Sequence, residues 1–138
     1  MGSKLQMYAN ALYQRGLVRE GYKVLDAIYQ HCQEFSTSRM YHINSQGRGM
    51  YPYLTGAASW FLLTWLTQAC GVRGSWGNLV LEPKLVREQF GAEGKASVST
   101  LFAGRRLNVD YHNPAGLDWG EYHIKEVTLN GKRIAFEY

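Results

Sequence analysis

The sequence predicts an α+β fold, with helices first and an antiparallel β domain after them. Two observations carry this expectation. Up to about Gly71, apolar residues recur at helical spacing; beyond it they alternate with polar ones around turn-forming residues. The composition agrees: 46% of the 138 residues are hydrophobic and 19% are charged, enough for a packed core and unlike a disordered chain. The expected division is residues 1–72 as a helical segment and 73–138 as a β-sheet or sandwich domain.

Leu5, Tyr8, Ala9 and Leu12 follow an i, i+3, i+4, i+7 pattern and predict a first helix with these residues on its inner face. Gly16 is a natural stop, because a residue just past a helix end often needs the left-handed region. Leu17, Gly21, Val24, Leu25, Ile28 and Cys32 form the apolar face of a second helix of about 17 residues, and the two read as an αα-hairpin. Ser36 to Met50 is a polar, Gly-containing loop. Thr55 to Cys70 is a third helix whose apolar residues point in nearly every direction. A helix of that kind is buried inside something large, and it is shorter than the roughly 20 apolar residues that span a bilayer. Beyond it, Leu79-Val-Leu81 reads as a strand ending at Pro83. Ala96 to Phe102 and Leu107 to Tyr111 alternate with period two. Glu126 to Phe136 reads as a hairpin around Asn130-Gly131.

The formal net charge of +4 comes from basic residues that are scattered, with no run longer than two. Nucleic-acid binders concentrate such charge on one element, so no nucleic-acid partner is expected. Cys32 and Cys70 lie in apolar helical surroundings without metal-ligand spacing. They read as reduced core thiols, which favours the cytoplasm. Met1-Gly-Ser-Lys lacks the apolar run of a signal peptide. No membrane association, cofactor or metal is expected.

The local chemistry centres on Thr55-Gly56. Thr caps helices well, and a Gly after it leaves the first helical amides open. Unpaired N–H groups and the positive end of the helix dipole make such a start an anion site; simple capping with close packing of Gly56 is the alternative. Asp110 and His112 share one strand face, with His123 further on, as metal ligands can; a solvated polar face is the competing reading. Tyr51, Tyr53 and Trp60 suit sugar stacking or core packing. Arg48, between two glycines, suits an anion or a carboxylate. No dinucleotide or P-loop fingerprint, nucleophile elbow or Cys/His pair is present.

Several ordered blocks add a resemblance. Gly47-Arg-Gly-Met-Tyr51, Tyr53-Leu-Thr-Gly-Ala-Ala-Ser-Trp60, Leu79-Val-Leu-Glu-Pro-Lys-Leu85 and Glu88-Gln-Phe90 are similar to the C-terminal region of glycoside hydrolase family 94, the cellobiose, cellodextrin, chitobiose and 1,2-β-oligoglucan phosphorylases. Lys95-Ala-Ser-Val98, Leu101-Phe-Ala-Gly-Arg-Arg106 and Tyr111-His-Asn-Pro114 continue the likeness, which extends over nearly the whole chain. The resemblance implies that the helices are the last ones of an (α/α)6 barrel, followed by the C-terminal β domain. It implies attack of inorganic phosphate on the anomeric carbon of a β-linked gluco-oligosaccharide, with a single Asp as general acid. It also implies that Thr55 and Gly56 contact the phosphate through hydroxyl and backbone amide.

Two departures from the family pattern shape the expectation. No residue here matches the general-acid Asp: Asp26 falls in the second helix, and Asp110 and Asp118 in the β half. The chain alone is therefore expected to lack activity and to need the remainder of a phosphorylase polypeptide. The segment before Gly47 is also shorter than in many relatives. A self-associating, non-catalytic remnant, a homo-oligomer of it, or a small carbohydrate-binding module are the competing readings.

Overall fold

The computed structural model describes residues 2–34, 42–43, 49–50 and 56–136. The fold is α+β, as expected. Helices α1 (Gly2–Gln14) and α2 (Val18–Glu34) form the αα-hairpin. Gly16 stops α1 with φ of 77°. The Leu17 amide donates to the Leu12 carbonyl at 2.9 Å and the Gly16 amide to Tyr13 at 3.1 Å, the paired bonds of a Schellman ending that satisfy the last carbonyls of α1.

The face that α1 buries differs from the expected one. Gln6, Ala9, Asn10, Leu12 and Tyr13 are buried, whereas Leu5 and Tyr8 are exposed. The reason is polar pairing: Asn10 Nδ2 donates to Thr64 Oγ1 at 3.2 Å across to the third helix, and Gln14 Nε2 donates to Asn10 Oδ1. Tyr13 packs against Gly21, where a Cβ would come within 2.7 Å of the ring. On α2 the expected face holds at Gly21, Leu25 and Cys32, which are buried, while Leu17 at its foot is exposed.

Inside the stretch read as a loop, β1 (His42–Ile43) pairs antiparallel with β2 (Gly49–Met50). Helix α3 (Gly56–Thr64) follows and continues as one wider π-helical turn, Trp65–Ala69, closed by the Cys70 amide on the Trp65 carbonyl at 2.8 Å. Ala57, Phe61 and Thr64 face inward, but Leu62, Leu63 and Trp65 are exposed. No helix among the described residues is long and apolar enough to cross a membrane.

The β half is built from hairpins. Strand β3 (Val72–Ser75) pairs with β4 (Asn78–Leu81), β5 (Lys95–Phe102) with β6 (Arg105–His112), and β7 (Val127–Leu129) with β8 (Lys132–Ile134). Each turns through two residues of positive φ: Trp76-Gly77, Ala103-Gly104 and Asn130-Gly131. Such turns match the twist of antiparallel strands. The pairing is antiparallel as expected, but among the described residues each hairpin stands as its own two-stranded sheet rather than joining a continuous one.

The main core contains Ala9, Tyr13, Val18, Leu25, Phe61 and Ala69 from the helical half together with Leu85 and Val86 from beyond β4. A second cluster, around Cys70, Val72 and Val109, seats the inner faces of β4, β5 and β6. Polar ties cross the same boundary. Arg19 of α2 pairs with Glu88 at 3.0 Å and with Asp118. Lys84 Nζ donates to the Tyr13 carbonyl at 3.3 Å, and Tyr111 Oη to the Cys70 carbonyl at 2.6 Å.

Candidate functional site

The helix start singled out from the sequence is where α3 begins. Gly56 is its first residue and is exposed, and a Cβ built on it would meet nothing within 4 Å. Gly56 is thus open rather than packed. The first turn carries no acidic side chain and the last turn no basic one, so the dipole of α3 is uncompensated from its own sequence. The first amides of a helix lack intrahelical partners and favour an anion. Beneath this turn, Ala57 and Phe61 anchor the helix in the core, and the buried Asn10–Thr64 bond fixes its far end. Thr55, Tyr51, Tyr53 and Arg48 lie outside the described residues.

The other sequence candidates separate. Asp110 and His112 do share the exposed face of β6, but Asp110 is engaged: Ser97 Oγ donates to it at 2.6 Å and Lys95 Nζ lies at 3.2 Å. His112 stands opposite Lys95 in the ladder. No group of three His, Cys, Asp or Glu that could hold a metal is found among the described residues. Trp60 is half-buried. Cys32 and Cys70 are free and buried, and burial pushes the Cys70 thiol up to about 11 and raises Cys32 as well. Both are protonated near neutrality and poor nucleophiles.

The carboxylates matter for any acid chemistry. Hydrogen bonds from Ser97 and then Lys95 hold Asp110 below the usual range. For Asp118, burial acts to raise it, but hydrogen bonds from Arg19 and from the Arg87 and Trp119 amides outweigh that and lower it. Arg19 likewise lowers Glu88. A general acid at neutral pH needs the opposite shift.

A cleft of about 190 Å³ lies elsewhere, between the π-helical turn and β5. It is lined by Trp65, Cys70, Leu85, Gln89, Lys95 to Val98, and Tyr111. Gln89 Nε2 is buried with no hydrogen-bond partner among the described residues, while its Oε1 accepts from the Val86 amide. Sequence reasoning passed over this cleft, because its lining comes from four separated segments and no local pattern joins them. It also passed over Trp76, fully exposed at a hairpin tip with φ of 50°. No protein-family model matches this chain, and no curated protein aligns with it.

Proposed function

We propose that this chain supplies part of the phosphate site of an inverting glycoside phosphorylase, with the Thr55 hydroxyl and the Gly56 amide as phosphate contacts. The observation that carries the reading is the open, uncompensated start of α3 at Gly56, the position that the family 94 resemblance assigns to phosphate. On this reading the three helices are late helices of an (α/α)6 barrel and the hairpins belong to the C-terminal β domain. Phosphate would attack the anomeric carbon of a β-linked gluco-oligosaccharide, giving a sugar 1-phosphate with inversion.

The acid comes from the remainder of the polypeptide. Asp110 and Asp118 are tied up in ion pairs and held in the ionised form, so neither is suited to protonate a leaving oxygen. Leu62, at 64% exposure, with Leu63 and Trp65 forms an apolar row along α3 and the start of its π-helical turn that further barrel helices would cover. The same row also favours a second reading, a non-catalytic module that associates through it.

The test is amide NMR during titration with inorganic phosphate. The Gly56 amide is expected to shift saturably, and Thr55→Val to weaken the response. A Gly56 resonance unmoved by phosphate sinks the site. In parallel, the chain is expected to form no sugar 1-phosphate from cello-, sophoro- or laminari-oligosaccharides; turnover by these residues alone overturns the assignment of the acid to another segment.

A further inference from the structure

The β5–β6 hairpin is the longest among the described residues, and its ladder fixes which backbone groups are used. The Asn113 amide donates to the Gly94 carbonyl at 2.7 Å, just beyond the Lys95↔His112 pair. Bonded and non-bonded pairs alternate in an antiparallel ladder. Tyr111, Val109, Leu107 and Arg105 therefore bond to β5, and Arg106, Asn108, Asp110 and His112 direct their N–H and C=O groups away from it. None of these outward groups has a further backbone partner among the described residues. The outer edge of β5 differs: Gly91 already donates to the Lys95 carbonyl there, and Trp65, Leu85 and Gln89 wall its first half.

A bare strand edge is a template for another strand. Its side chains indicate which one. Along the exposed face of β6 stand Arg106, Asn108 and Asp110, that is positive, neutral and negative. An antiparallel partner of the same sequence, related by a two-fold axis through Asn108, sets Arg106 of each copy opposite Asp110 of the other. The bonded residues of that register are the outward-facing ones. The other face brings Leu107 opposite Val109, extending the apolar inner faces of both hairpins. Any register that sets Arg106 or Asp110 opposite itself meets like charge, which destabilises cross-strand pairs. Arg106 has no ion-pair partner within the chain among the described residues, so its charge is available; Asp110 already meets Lys95 at 3.2 Å, and the partner's Arg106 would share that exposed carboxylate with it.

We propose that the outer edge of β6 is a self-association surface at which two copies pair about a two-fold axis through Asn108, merging two two-stranded hairpins into one four-stranded sheet. This does not rest on the phosphorylase reading. The closed two-fold uses up both β6 edges, so association stops at the dimer.

Sedimentation equilibrium over a range of concentrations tests it, with far-UV circular dichroism confirming that each variant is folded. The wild-type chain is expected to dimerise. Arg106→Asp, which sets two carboxylates opposite each other, is expected to raise the dissociation constant by about ten-fold or more. Adding Asp110→Arg restores the complement with its sense reversed and is expected to recover association. Asn108→Cys is expected to give a disulfide-linked dimer on oxidation, against a low background because Cys32 and Cys70 are buried. A chain monomeric at its highest soluble concentration overturns the proposal. So does a dimer indifferent to Arg106→Asp and not linked through Asn108→Cys, which assigns association to the Leu62, Leu63 and Trp65 row instead.

Discussion

At the scale of single residues, backbone geometry separates glycines that are needed from those that are free. Gly71 has φ of 67°, and a Cβ on it would sit 1.9 Å from the Glu82 carbonyl oxygen. That contact is with backbone, which already bonds back through the Glu82 amide to the Gly71 carbonyl at 3.0 Å. Gly71→Ala is therefore expected to cost about 3 kcal/mol or more, from strain and forced separation together, and to lower the melting temperature by about 10 °C. A variant melting within a degree or two of wild type would refute the close approach. Tyr13 gives the contrasting case. Its ring is fully buried against Gly21, yet its hydroxyl has no partner among the described residues, and burial raises its pKa. Removing an unpaired buried hydroxyl relieves a desolvation cost, so Tyr13→Phe is expected to be neutral or stabilising by about 1 kcal/mol in urea unfolding. A clear loss of stability would reveal a hydrogen bond that the described residues do not supply. Neither role was legible in the sequence. The glycines there marked a helix stop and a change of character, but a 1.9 Å approach depends on a partner eleven positions away.

At the scale of elements, legibility followed the locality of the signal. Asn130-Gly131 marked its hairpin, because both residues suit positive φ; Trp76-Gly77 and Ala103-Gly104 make the same kind of turn with only the second residue suited. Strand β3 was missed for that reason, although the alternation in β5 and β6 was plain. The α1 face was misread because two polar residues, Gln6 and Asn10, are buried, Asn10 through its bonds to Thr64 and Gln14, which hydrophobic periodicity cannot register. The tie between α2 and the β half was equally invisible, since Arg19 meets Glu88 and Asp118 from 69 and 99 positions away. That tie predicts a pH dependence. Both carboxylates have folded-state pKa values below their unfolded ones. Their contribution is thus fully present above the ordinary carboxylate range, above about pH 5, and is lost as pH falls through that range and on through the lowered folded values. Because Glu88 is half exposed and Asp118 only partly buried, solvent screening keeps the effect modest. The urea midpoint is expected to fall across this window in the wild type and to fall less steeply in Asp118→Asn. Parallel curves for the two proteins would show that the clamp carries no proton linkage.

At the scale of the whole molecule, the change of sequence character near Gly71 invites a division that the packing bridges. Leu85 and Val86 complete the core around Ala9, Tyr13, Val18 and Leu25, and Tyr122 Oη accepts from the Leu85 amide at 2.9 Å and donates to its carbonyl at 2.8 Å, holding that segment in place. Burial of Tyr122 pushes its hydroxyl up to about 12, so this clasp keeps its proton through the physiological range. The anion-ready helix start is likewise a joint product. The sequence marked Gly56, but the orientation of α3 comes from Phe61 packed in the main core, and from the Asn10–Thr64 bond and the packing of Cys70 and Val72 on Val109 at and beyond its C-terminal end. A helix start can therefore be read from local residues, while the rigidity that would make it a site depends on both halves. Residues 1–72 and 73–138 produced separately are expected each to lose cooperative unfolding, since each would leave half of one core in water. The intact chain is expected to show a single calorimetric transition whose van't Hoff and calorimetric enthalpies agree. Two resolved transitions in the intact chain, or a cooperative melt in either piece alone, would show instead that the boundary near Gly71 separates independent folding units. In that case the phosphate response proposed for Gly56 would be sought in the helical piece alone.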